Sequence, residues 1–225
     1  MASGRKPSRT REEFVHAAIN LADETGISGL SLRALGAELG AATTAVYRYF
    51  ANKDDLIVAM REALLAEAIP ASTGGEARQR LTASALAFRD TVRRHPCLSQ
   101  IMGLAALEGD NSNGVVLFTV QGLEELGLRG PLLVRGYRQL ESFVVGTSAY
   151  DFSDAPRHLQ ERLERIRRLA HADFDDALTD AAAVEADNEL AFVTTFNWIL
   201  DGLIAEARQA AGRSLESVTV SLVDS

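Results

Sequence analysis

Apolar residues recur along this chain at spacings of three and four, and no segment alternates apolar and polar positions long enough to mark a strand. The pattern predicts an all-α fold. Thr10-Arg-Glu-Glu13 is a capping box, in which the threonine hydroxyl and the glutamate carboxylate each satisfy a backbone N–H. Phe14, Ala18, Leu21 and Ala22 follow on one helical face, and Gly26 ends the helix. Ser31 caps a second helix that pairs Leu35 with Leu39 and stops at Gly40. A third helix is expected from about Ala42 to Tyr49, burying Val46 and leading into Phe50. Asn52 caps a fourth, which starts at Lys53 and runs through Leu56, Met60, Leu64 and Leu65 to Pro70.

Pro70 to Gly75 reads as a boundary loop. Beyond it, residues 76–95 form an amphipathic helix closed by His95-Pro96, because proline disfavours a helical residue before it. A short helix is expected around Cys97–Leu107, and Gly109-Asp-Asn-Ser-Asn-Gly114 has the composition of a loop. Helices are expected near 114–127 and 131–150, with Pro131 in a favourable first turn. Two charge-rich segments, 156–170 and 173–185, precede a long apolar helix at 187–211. The β-branched, polar stretch Gly212–Ser225 reads as a disordered tail. The expected domains are a flexible basic arm at 1–9, an N-terminal three-helix unit at 10–56 and a helical domain at 57–211.

The composition, 47% hydrophobic and 24% charged, is that of an ordinary soluble domain, so it excludes little. The lone cysteine, Cys97, rules out an internal disulfide framework and reads as a small core residue. No stretch of about 18 apolar residues stands out, and the first ten residues lack the apolar middle of a signal peptide, so a cytoplasmic location without membrane contact is expected. A net charge of −8 first argues against nucleic acid. Its distribution reverses that impression: residues 1–53 carry seven basic and five acidic side chains, leaving 16 and 26 for the rest. A basic end on an acidic body turns one pole toward phosphate.

Two short helices joined by a glycine turn form a helix-turn-helix, whose second helix enters the major groove of DNA. With Val46 and Phe50 inward, Thr43, Thr44, Tyr47 and Arg48 project outward. Arg48 can bond guanine bidentately and a threonine methyl can pack on thymine, while Tyr47 and Tyr49 offer hydroxyls to phosphates. Lys53 is a cation in the first turn of a helix, a conflict that a bound phosphate would resolve.

These residues carry a resemblance. Gly29-Leu30-Ser31, Arg33, Leu35, Leu39-Gly40, Val46-Tyr47, Tyr49-Phe50, Asn52-Lys53 and Leu56 stand at spacings that resemble the N-terminal DNA-binding domain of the tetracycline-repressor (TetR) family over residues 10–56. Gly36 replaces a usual alanine, which should loosen the second helix, and Val46 replaces a usual leucine. The rest of the chain resembles the family only in helical layout, including the Arg94-His95-Pro96 break. The resemblance implies base-edge contacts from Arg33, Thr43, Thr44 and Arg48, and phosphate contacts from Ser31, Tyr47, Tyr49 and Lys53. It also implies a homodimer built from two C-terminal helices of each subunit, here about 131–150 and 187–211. Phe192, Thr195, Phe196, Ile199, Leu203 and Ile204 form the apolar stripe for that interface, or else an ordinary core face. A small-molecule effector is implied behind the connector helix, with candidate contacts Phe88, Met102, Phe118, Tyr137, Phe143, Tyr150 and Trp198. Few ionisable groups fall on these faces, which points to a largely apolar effector.

Enzymatic function finds no support in the residues: there is no nucleophile–base set, phosphate-cradling loop or metal signature. His158 with Glu161, and His171 near Asp173, Asp175 and Asp176, have conceivable ligand spacing but read as solvated acidic segments. No metal or cofactor is expected. The expected function is a ligand-responsive repressor of a palindromic operator in double-stranded DNA, with an activator or co-repressor-dependent regulator of the same fold as the alternative.

Overall fold

The computed structural model describes residues 9–68, 74–104, 109–152, 168 and 181–223. Among them stand nine helices and no strand: α1 (Arg11–Gly29), α2 (Leu32–Glu38), α3 (Thr43–Tyr47), α4 (Lys53–Ala68), α5 (Ala77–Arg94), α6 (Cys97–Met102), α7 (Asp110–Glu125), α8 (Gly130–Phe152) and α9 (Ala181–Val223). The expected capping box at Thr10 and Glu13 is present, with Glu13 N–H donating to Thr10 Oγ1 at 3.2 Å and Thr10 N–H to Glu13 Oε2 at 2.7 Å. Ser31 caps α2 through the Ala34 N–H at 3.0 Å, and Asn52 caps α4 through the Asp55 N–H at 2.8 Å. Gly40 adopts φ 57°, a backbone region costly for other residues, and so lets the chain reverse between α2 and α3.

Two apolar cores hold the helices. The first joins Phe14, Ile19, Leu30, Leu35, Val46 and Phe50 to Leu56, Met60 and Leu64 on α4, and continues to Phe88, Val92, Leu98 and Ile101. No gap in this core separates the N-terminal unit from α5 and α6, since α4 packs with both. The second core joins Leu81, Leu123, Leu140, Phe192, Phe196, Leu200 and Leu203 from α5, α7, α8 and α9.

Several expectations change. Residues 110–114 are the first turns of α7, not a loop. Their Asp, Asn and Ser are polar residues that suit a helix start as well as a turn, and the missing cap comes from Glu62 on α4. The last helix begins at Ala181 and continues to Val223, so residues 212–223 are helical and not a disordered tail. Leu215, Val218 and Leu222 keep spacings of three and four there. Gly36 is a close-approach position, because a Cβ would stand 3.1 Å from the Ala41 carbonyl oxygen. Residue 9 is tied down, with Arg9 Nη2 donating to the Leu39 carbonyl at 2.9 Å. One helix segment, Glu185–Gly212, has a mean hydropathy of 1.2 over its most apolar window, enough by length and composition to cross a bilayer. Its Phe192, Phe196, Leu200 and Leu203 are buried in the second core, and 28% of that window is buried in all.

Burial separates two neighbouring aromatic residues. Phe50 is wholly buried while Tyr47 is 57% exposed. Phe50→Ala should cost about 3–5 kcal/mol of stability, and Tyr47→Ala about 0.5 kcal/mol or less, both read by urea denaturation.

Candidate nucleic-acid interface and ligand cavity

The turn after α2 delivers a very short α3. Its Val46 is buried, as is Phe50 just beyond, so the opposite side presents Thr44, Tyr47 and Arg48 to solvent with Thr43 half-buried. Arg33 and Ser31 are exposed on α2 and at its cap. Ser31 Oγ accepts the Ala34 N–H, which leaves its own proton free for another acceptor. The exposed set therefore combines a fork-shaped cation, hydroxyls and a ring on one convex surface, chemistry that reads base edges and phosphates.

Two expected phosphate anchors are engaged elsewhere. The Tyr49 ring lies 5.6 Å from Phe14 and 6.5 Å from Phe50, and its hydroxyl donates to the Arg9 carbonyl at 2.9 Å. Because α3 ends at Tyr47, Tyr49 leaves the exposed helical face and packs inward, where its ring contributes more. Tyr49 thus ties Arg9 to the core, and Arg48 lies over its outer face at 5.7 Å. Lys53 Nζ donates to the Ile27 carbonyl at 2.6 Å, at the end of α1. That contact relieves the cation's conflict with the start of α4, and two further N–H groups remain for phosphate.

A cavity of about 90 Å³ lies at the seam between the two cores. That is several times the roughly 10–15 Å³ needed for one water. Of the candidate effector contacts, Phe88, Met102 and Tyr137 line it. Phe118 and Phe143 instead pack into the second core, with Phe143 stacked 5.2 Å from Phe192. Tyr150 and Trp198 face outward. The sequence reading missed Leu140, Glu141, Val144 and Ser112, all of which line the cavity. Tyr137 donates to Glu141 Oε1 at 2.8 Å. Burial pushes the Tyr137 phenol well above its ordinary pKa, and the adjacent carboxylate adds to the shift.

The expected dimer stripe is also corrected. Phe192, Phe196 and Leu203 are buried within the protomer, and Phe196 lines the cavity. With Leu200 and Ala207 they keep helical spacing along one face, which α5 and α8 cover. Thr195 and Ile199 are half-buried at its margin. The outward side of α9 carries Leu190 and Trp198, the latter in a surface groove with Arg135, Gln139 and Ser142 of α8.

Two carboxylates of the N-terminal helices cap helices of the cavity domain. Asp23 of α1 accepts the Cys97 N–H at 3.0 Å and contacts His95 Nδ1 at 2.8 Å. Burial, and secondarily Asp23, pushes the Cys97 thiol above its ordinary pKa. Glu62 of α4 accepts the Asn111 and Ser112 N–H groups at 2.7 and 3.2 Å and the Ser112 hydroxyl. Gly109 leaves room beside it, because a Cβ there would meet the Glu62 carboxylate and oblige it to move. Both caps place negative charge where unpaired N–H groups and the helix dipole favour it. Ser112 also lines the cavity. The histidine–acid groups at 158–161 and 171–176 lie outside the described residues, and among those described no cluster of three metal-ligating side chains forms.

This combination defines a helix-turn-helix protein with a cavity-bearing helical domain. Comparison with known proteins makes the class specific. Residues 14–60 match the family described as bacterial regulatory proteins, tetR family, and residues 69–207 match the tetracyclin repressor-like C-terminal domain. The chain belongs to the tetracycline-repressor family of transcriptional regulators. It is 30% identical over 174 residues to the HTH-type transcriptional repressor DrrR1 of Streptomyces coeruleorubidus, a match that covers 76% of this chain but 62% of that protein. It is 26% identical to an HTH-type transcriptional regulator of Saccharopolyspora erythraea, over 91% of this chain and 89% of that one. Among solved structures, Streptomyces coelicolor ActR in complex with actinorhodin superposes with a TM-score of 0.73 at 21% identity, covering 92% of this chain and 100% of ActR. That likeness is one of fold.

Proposed function

We propose that this protein is a cytoplasmic, homodimeric repressor that occupies a palindromic DNA operator and is released by a small, largely apolar molecule bound in the cavity. The observation that carries the ligand response is Ser112, which lines the cavity and bonds Glu62 on the helix that continues into the DNA-reading unit. A molecule pressing on Ser112 and Val115 would disturb the cap, and with it the angle of α4 and α3. By linkage, effector and operator then oppose one another. A preference of 2–3 kcal/mol for the non-binding arrangement lowers operator affinity roughly 30- to 150-fold.

In this reading residues 10–56 contact DNA. Arg33, Thr43, Thr44 and Arg48 face base edges, Ser31 and Tyr47 face phosphates, and Lys53 supports the backbone contact from its seat on Ile27. Tyr49 acts by holding Arg9 at the start of α1. The second subunit covers the outward sides of α8 and α9 around Trp198, Val134 and Gln139. These include side chains 69% and 65% exposed in the single subunit, large apolar area for a protomer to leave in water.

Arg48→Ala should cost about 1–3 kcal/mol of discrimination at the base it reads, whereas Lys53→Ala should weaken all sequences alike and lower the salt slope by about one ion. Gel shifts against operator and scrambled duplexes at several salt concentrations separate the two. Binding indifferent to sequence would overturn the repressor reading. Glu62→Ala should reduce the coupling between effector and operator by about 0.5–2 kcal/mol, seen as a smaller ratio of operator affinities without and with effector. Trp198 is the only tryptophan, so its emission should shift to the red on dilution as the dimer parts. Emission independent of concentration, from a chain that sediments as a monomer, would refute the interface.

A further inference from the structure

Three of the four hydroxyl protons around the cavity are already spent. Tyr137 donates to Glu141, Ser112 to Glu62, and Thr119 to the Val115 carbonyl at 2.9 Å. Ser84 is the remaining lining hydroxyl, and on a helix it can return its proton to the carbonyl four residues back. Among the described residues the lining contains no Lys, Arg, His, Asn, Gln or Trp, and so no cationic or amide donor from them. The main-chain N–H of Ser112, at the start of its helix, is likewise taken by Glu62 at 3.2 Å. What faces the cavity is therefore a set of acceptors: the Tyr137, Ser112 and Thr119 oxygens, and one charged group, Glu141.

A carboxylate has about four lone-pair sites, and Tyr137 fills one of them at Glu141. Arg138 Nε approaches Glu141 at 3.9 Å, but it is 73% exposed and outside the lining, a weak surface partner. The remaining wall is aliphatic and aromatic, with Phe88, Phe196 and Tyr137 among its members. Aromatic faces and a carboxylate both attract a cation. Neither favours an anion, which would meet Glu141 with no donor to receive it.

We propose that the effector is a compact apolar molecule bearing a protonated amine that donates to Glu141, and that carboxylate-bearing molecules of the same shape are rejected. This rests on the reading of the cavity as an effector site. Naphthylmethylamine, naphthylmethanol and naphthoate share one ring system and differ in charge, so fluorescence titration of the full chain with each tests it. The amine should bind about tenfold or more tightly than the carboxylate, with the alcohol between them. Glu141→Gln should bring the amine to the level of the alcohol and leave the alcohol unchanged. An amine that binds no better than naphthoate, or an order of affinities untouched by Glu141→Gln, overturns the proposal.

Two variants locate the binding. Val116→Trp and Thr119→Trp each fill the cavity, and either one that keeps the helical circular dichroism of the parent should lose the amine. If naphthoate is preferred and is lost on filling, the donor inference fails while the effector cavity stands. If all three probes bind a folded, filled variant as before, the cavity is not the site and both readings fall.

Discussion

The carboxylate of Glu62 is the contact on which the arrangement of the two functional regions depends. The first N–H groups of a helix have no partner within it, and leaving them buried without one is costly. At α7 the sequence supplies glycine at the capping position, so the partner must come from elsewhere, and α4 provides it. Asp23 does the same for α6 from α1. Both caps are made by helices that also hold the DNA-reading face. The start of each cavity helix is thus set by the position of the N-terminal unit, and the reverse holds equally.

This coupling is reinforced by the first apolar core, which runs without interruption from Phe14 and Phe50 through Met60 and Leu64 to Phe88 and Ile101. A core shared in this way resists independent motion of the two parts, because well-packed interiors shift between discrete arrangements rather than deform continuously. The cavity sits where that core meets the second one, lined by Leu65 and Phe88 from one side and Leu81, Leu140 and Phe196 from the other. Volume added at this seam must push on one core or the other.

The DNA-reading face obeys a simpler logic. Its short α3 is held by Val46 and Phe50, and the same turn that buries them exposes Tyr47 and Arg48. Tyr49 and Lys53 show how chemically suitable groups are drawn to intramolecular partners. A phenol beside a buried phenylalanine gains more from packing on Phe14 than from water, and an ammonium beside the end of α1 finds the Ile27 carbonyl.

Local chemistry determined much of this protein. Capping residues, glycine at the turn and apolar spacing placed α1 to α4 from the sequence, because each signal acts within a few residues of the structure it produces. The spacing from Gly40 through Tyr47 to Lys53 likewise indicated the family by itself. Tertiary structure decided what depends on residues far apart in the chain. Gly109 to Gly114 reads as a loop until Glu62, some 50 positions earlier, caps it as a helix. Phe192, Phe196 and Leu203 read equally as interface or core, since periodicity shows that a face is apolar but not what covers it. The cavity belongs to the same class: its lining comes from α4 to α9, and three of its hydroxyls, on Ser112, Thr119 and Tyr137, found acceptors on their own helix or a neighbouring one.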